Sequence, residues 1–213
     1  MSPSPSRSRF EGQIAGIGST SGIRVVVGHW LATPLGAFSD AMVELADGHR
    51  LLIAEHGEAA RFISATYRFA EIRVEPFTVL VDGDHWRVRS TSLDLDLTLG
   101  RRTWLGWALR AVPRPLAVSP WWCSVTDVLA RRLLRGVRTK GTAGNERREW
   151  YGATDSRRIV AVTGSFEGRD LGPLAPVDPA PAFGFSSTPK RPSVTTVVTT
   201  VELSPQEPDA RPR

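Results

Sequence analysis

Leu93, Leu95, Leu97 and Leu99 alternate with Ser92, Asp94, Asp96 and Thr98. A period of two places one side of a strand in a core and the other in water. Met42–Ala46 and Arg50–Ala54 flank Asp47-Gly48, and Phe77–Val81 and Trp86–Arg89 flank Asp82-Gly83. Asp-Gly between apolar runs predicts a hairpin, because both turn positions tolerate positive φ. The β-branched run Ile23, Val25, Val26 and Val27 follows a glycine-punctuated segment from Phe10, predicting two more strands joined near residues 19–22. Val194–Leu203 is a further strand, and Arg147–Ala153 and Arg158–Phe166 read as two, the second leaving through Glu167-Gly168.

Helical spacing is confined to two places. In Glu58–Tyr67, Ala59, Phe62, Ile63 and Thr66 share a face, predicting a short helix that plugs or crosses the sheet. Trp104–Val112 reads as a helix ended by Pro113 and Pro115, and Ser119-Pro120 supplies the start of another, from about Trp121 to Arg135. Many short strands and few helices predict a mainly β (α+β) fold: an antiparallel curved sheet or barrel with a two-helix insertion near residues 104–135. This pattern argues against a doubly wound nucleotide-binding fold. A barrel permits an enclosed cavity without requiring one, since small barrels also fill with side chains.

Of the 213 residues, 41% are hydrophobic and 23% charged, ordinary usage for one globular domain. We place that domain at residues 9–203, between polar tails at 1–8 and 204–213. The single cysteine, Cys123, excludes an internal disulfide framework and leaves a cysteine metal site short of ligands. No secretory signal and no run of about 18 apolar residues is present, so a cytoplasmic location is expected.

The net charge of +5 is unevenly distributed. Residues 101–140 carry nine cations against Asp127 alone, a local balance of +8, which leaves −3 for the rest. The same stretch holds four of the seven tryptophans: Trp104, Trp107, Trp121 and Trp122. On a helical wheel Val128, Trp121, Val125, Leu129, Trp122 and Leu133 form one apolar arc, with Arg132 roughly 20° from Trp121 and inside it. A cation there requires a carboxylate, an anionic ligand or an escape route for its stem. Arg147-Arg148-Glu149-Trp150-Tyr151 mixes charge with aromatic area and suits either a site rim or a strand face.

Several familiar motifs are present only in part. Gly12-Gln13-Ile14-Ala15-Gly16-Ile17-Gly18 has the spelling of a dinucleotide loop, but lacks the preceding buried strand and following helix that would bring a pyrophosphate to a helix N-terminus; a glycine-bent strand fits better. Ser165, in Gly164-Ser165-Phe166-Glu167-Gly168, is one residue out of register for a nucleophile elbow. His29, His49, His56 and His85 form no metal-ligand pair, and Cys123 lies among apolar residues with no placed base. The acids nearest strand ends are Asp40, Glu44, Glu146, Glu149 and Asp155; sequence alone cannot pair them for acid–base chemistry.

Phe10-Glu11-Gly12 through Gly28-His29-Trp30, with Asn145-Glu146-Arg147-Arg148-Glu149-Trp150-Tyr151-Gly152, resembles an uncharacterised family of actinobacterial proteins. That resemblance spans most of residues 9–203 and implies no activity.

Three readings of function follow. The first is a binding protein for an apolar or amphipathic small molecule with an acidic group, held by Trp104, Trp107, Arg110, Trp121, Trp122, Arg132, Arg148 and Trp150, with no metal or cofactor. The second is a cofactor-independent isomerase, hydratase or cyclase in the same cavity, which needs a histidine within reach of Asp40, Glu44 or Glu149. The third is a peripheral membrane or partner-binding protein using exposed indoles. Aromatics interleaved with apolar helix residues, without a basic tract, argue against nucleic acid.

Overall fold

A computed structural model describes residues 7–119, 121–122, 140–142, 148–184 and 188–202. Its strands, in chain order, are β1 (Arg7–Ser19), β2 (Arg24–Ala32), β3 (Phe38–Glu44), β4 (Arg50–Ala54), β5 (Glu71–Val74), β6 (Phe77–Asp82), β7 (His85–Ser90), β8 (Leu93–Arg102), β9 (Lys140–Thr142), β10 (Arg148–Phe166), β11 (Arg169–Asp170), β12 (Leu174–Ala175) and β13 (Ser193–Glu202). The helices are α1 (Gly57–Ser64), α2 (Trp104–Arg110) and α3 (Arg114–Ala117).

One sheet runs β5-β4-β3-β2-β1-β13-β10-β8-β7-β6. Its first and last strands are consecutive in the chain, separated only by Glu75 and Pro76. The three Cα–Cα steps from Val74 to Phe77 span at most about 11 Å, so the sheet curls until its ends approach, giving a half-barrel. Ser92 fastens them: it donates to Glu75 through both backbone N and hydroxyl at 2.9 Å, and Arg73 Nη1 donates to its Oγ at 2.9 Å.

Both hairpins form, with Gly48 and Gly83 at φ of 89° and 58°, but the second turn is Gly83-Asp84, since Asp82 stays in β6 and pairs with His85, and neither Asp47 nor Asp82 takes a positive φ. In β8 the four leucines are buried while Asp94 and Asp96 face solvent. Three features differ from the sequence reading. The sheet is mixed, because β4, α1 and β5 make a crossover that returns the chain parallel to β4. Arg147–Ala153 and Arg158–Phe166 are not separate strands: β10 is continuous, and register shifts between Ala153 and Ala161 carry its polar middle. Pro113 and Pro115 end α2 but also begin α3, since a proline in a first turn forfeits no helical hydrogen bond. Of the predicted Trp121–Arg135 helix only Trp121 and Trp122 are described, and both are helical; Cys123 and Arg132 lie outside the described residues.

Alternation divides the core in two. Ala15, Ile17, Val25, Val27, Ala41, Val43, Leu51 and Ile53 join Trp86, Phe77 and the β8 leucines inside the curl. The opposite positions, Phe10, Phe38, Leu52 and Ala54, pack under α1 with Ala59, Ala60 and Ile63. The dinucleotide-like glycines serve this packing. A Cβ at Gly16 would collide with Thr188, and one at Gly18 with the Pro176 carbonyl, so β1 is glycine-rich because other segments cross it closely.

Candidate functional site

The second core is not completely filled. Between α1 and the face made by β3, β2, β1, β13 and β10 lies a cavity of about 60 Å³. Its apolar wall includes Phe10, Trp30, Phe38, Met42, Phe62 and Ile63. Phe10 stacks on Phe62 with centroids 4.6 Å apart and meets Trp30 edge-on at 6.1 Å. The barrel-side core, with Trp86 and Phe77 fully enclosed, is a separate packed layer.

Two buried carboxyl groups enter this wall. Asp40 occupies a core-facing position between Phe38 and Met42 on β3, and is 1% exposed. Its Oδ1 accepts the Trp30 indole N–H at 2.9 Å across the β2–β3 hairpin, while Oδ2 has no partner among the described residues. Burial pushes its pKa up from 3.8 to about 7, against the stabilising pull of the indole hydrogen bond. Gly28 makes room for this pair: a Cβ there would collide with Asp40 Oδ1 and lie 2.6 Å from Trp30 Nε1.

Glu149, on β10, is joined by two phenols. Tyr151 donates to Glu149 Oε2 at 2.9 Å, and Tyr67, just beyond α1, reaches the same oxygen at 3.3 Å. The two hydroxyls are also in short hydrogen-bond contact. Burial, followed by the charge of Glu149, raises both phenol pKa values well above the ordinary one, so these groups remain protonated donors. The site therefore couples an apolar wall to a carboxyl with one unoccupied acceptor and a carboxylate already served by phenols.

The other acids have different work. Glu44 pairs with buried Arg24 at 2.8 Å and accepts the Ala182 N–H. Asp155 receives both Nε and Nη2 of Arg102, at 2.7 and 2.9 Å. Glu146 lies outside the described residues. The histidines also serve elsewhere: His29 bonds Ser39, His49 faces Glu71, and His56 caps α1 by accepting the Ala59 N–H. Among the described residues no histidine hydrogen-bonds Asp40, Glu44 or Glu149, so the histidine–carboxylate pair required for the enzymatic reading is not formed.

The structure places the sequence-selected residues away from this cavity. Trp104, Trp107 and Trp121 are exposed, Trp122 is half-buried against Trp121, and Arg110 reaches Asp155 at 3.8 Å. Trp150 is buried beneath the Arg7 guanidinium, 5.9 Å from its ring centre, and Arg148 is exposed. None of these seven lines the cavity, and Arg132 is not described. Parity explains the separation: Glu149 and Tyr151 face the cavity, so Arg148, Trp150 and Gly152 face the other way, where Gly152 meets Val118 just after α3. The signal for the site was Asp40 itself, a charge in register with the apolar Phe38 and Met42 on one face of β3.

No family model and no curated protein matches the chain. Solved structures similar in backbone include acetoacetate decarboxylase from Legionella pneumophila, at 8% identity and TM-score 0.44, covering 94% of this chain and 85% of that one. A second acetoacetate decarboxylase structure gives 8% and 0.40, covering 92% and 84%. A putative AttH from Nitrosomonas europaea gives 11% and 0.31, covering 95% and 53%. Backbone likeness at these identities does not transfer an activity.

Proposed function

We propose that the protein binds a compact molecule in the cavity under α1, with an apolar body against Phe10, Phe38 and Phe62 and a hydrogen-bond donor directed at Asp40. The observation that carries this reading is Asp40 Oδ2, a buried acceptor on the cavity wall without a partner among the described residues. Leaving such an atom unsatisfied costs about 1–3 kcal/mol, which a ligand donor would recover. Size restricts the ligand further. A cavity of about 150 Å³ holds benzene, so about 60 Å³ suits only a few heavy atoms, and long acyl or isoprenoid chains do not fit.

The charge expectation also changes. No arginine, lysine or histidine is among the described residues lining the cavity, so an acidic group on the ligand has no described counter-ion there. Small amines and alcohols suit Asp40 better. Ammonium ligands gain affinity as pH rises through about 7 and the carboxyl ionises.

The test is titration of the full chain with isopropylamine, isopropanol and propionate, following the Trp30 indole N–H by NMR. A saturable shift with the amine, larger above pH 7 and lost in Asp40→Asn, is expected. No response to any probe, or propionate binding regardless of Asp40, would overturn the reading. Because burial raises the Asp40 pKa to about 7, a second reading gives it a proton-transfer role, retaining an isomerase, hydratase or cyclase without histidine. Running the titration in D2O with small carbonyl compounds separates the two: Asp40-dependent loss of C–H signals favours catalysis, and its absence leaves binding alone.

A further inference from the structure

The tryptophan-bearing insertion lies outside the cavity and has its own chemistry. Thr103 caps α2 by accepting the Gly106 N–H at 2.9 Å, and Gly106 lies so close to β10 that a Cβ would collide with the Ser156 carbonyl. With Gly106 pressed to the sheet, Trp104 and Trp107 project outward, 67% and 62% exposed. Trp121 is 66% exposed, and Ala108, Ala111, Pro113, Pro115 and Leu116 between them are exposed too. These exposed apolar side chains all fall within residues 104–121, a concentration of the kind that marks interaction sites when it is contiguous.

Cations accompany them. Arg110 and Arg114 have side chains 56% and 71% exposed, and Arg101 is exposed as well. Arg102 lies with its guanidinium 4.8 Å from the Trp107 ring centre while holding Asp155. Among the described residues, the acids paired with these arginines are Asp155, mostly buried against Arg102, and Glu11, which accepts from Arg114 at 2.8 Å. Residues 101–121 therefore carry exposed indoles and small apolar groups together with exposed cations.

We propose that the α2–α3 knob docks this protein onto anionic lipid bilayers. Indoles suit the headgroup level because the ring is apolar and its N–H finds polar partners. Arginine stems extend along apolar surface while their heads reach phosphate and carboxylate groups. Exposed Leu116, Pro113 and Pro115 gain more from burial in acyl chains than from solvated phosphates, which favours lipid over nucleic acid. Each cation near such a surface contributes about fivefold to partitioning, and salt weakens the attraction within a Debye length. This inference is independent of the cavity reading.

Co-sedimentation of the full chain with phosphatidylcholine vesicles, with and without phosphatidylserine, tests it. Association is expected with the serine lipid, reduced by high salt and by about 25-fold in Arg101→Gln/Arg110→Gln. Brominated lipids should quench indole fluorescence in the parent protein and markedly less in Trp104→Ser/Trp107→Ser, which keeps Trp121 and whose far-UV spectrum and Trp30 signal should be unchanged. Failure to sediment, binding unaffected by the tryptophan pair, or stronger retention of single-stranded nucleic acid than of vesicles would each overturn it.

Discussion

Replacing Asp40 with asparagine separates ionisation from shape. The folded carboxyl keeps its proton to about pH 7, whereas the unfolded group releases it near 3.8. Below 3.8 both states are protonated and pH has no effect through this group. Between the two values the folded state holds a proton that the unfolded state has lost, so Asp40's contribution to stability falls as pH rises, then levels off above about 7. A gap of roughly three pH units corresponds to about 4 kcal/mol. Asparagine retains an acceptor for the Trp30 N–H but cannot ionise. Its amide nitrogen, placed where Oδ2 lacks a partner among the described residues, adds a cost of about 1–3 kcal/mol that does not depend on pH. The informative quantity is therefore the difference between parent and variant. Urea unfolding from about pH 4 to about pH 8 should show the variant gaining about 4 kcal/mol relative to the parent, or roughly 10 °C in Tm for a chain of this size. Parallel pH profiles would refute the argument, because they would mean that Asp40 ionises alike in both states.

Two further substitutions probe how the cavity is held. Gly28→Ala forces a methyl group between Asp40 and Trp30, and should cost about 1–3 kcal/mol in urea unfolding while shifting the Trp30 indole N–H resonance; an unchanged resonance would place the indole elsewhere. Tyr151→Phe removes a donor from buried Glu149 and should cost about 1–3 kcal/mol, and a double-mutant cycle with Tyr67→Phe should show non-additivity because the hydroxyls touch.

What the sequence revealed was local. The Asp-Gly pairs and the β8 alternation are written in adjacent residues, and both hairpins and the strand form, the second turn one residue later than read. The four-residue β5 has too little pattern to stand out, and its parallel pairing depends on where α1 returns the chain. In β10, Thr154-Asp155-Ser156-Arg157 resembles a break because polar residues cluster there. Yet Asp155 is held by Arg102, and the Arg157 guanidinium donates to the Gly100 carbonyl, so partners from β8 keep the strand continuous through its irregularities.

The candidate site was hidden for a related reason. Composition drew attention to residues 101–140, where cations and indoles are concentrated, but concentration along the chain says nothing about which side of a sheet a group occupies. Asp40 meets Trp30 only through the β2–β3 register, in which Gly28 lies opposite Asp40 and Trp30 opposite Phe38. Tyr67 meets Tyr151 across a sequence separation of 84 residues. Moving either strand by one position would turn Asp40 or Glu149 into the opposite layer. The side that buries Glu149 and Tyr151 thus gathers acids and phenols around a small void, while the same strand's other side supports the basic knob. Chemistry that looks like one mixed Arg-Glu-Trp-Tyr motif in the sequence is divided by the pleat into two surfaces, which is why a ligand under α1 and an anionic surface beside α2 can be tested separately.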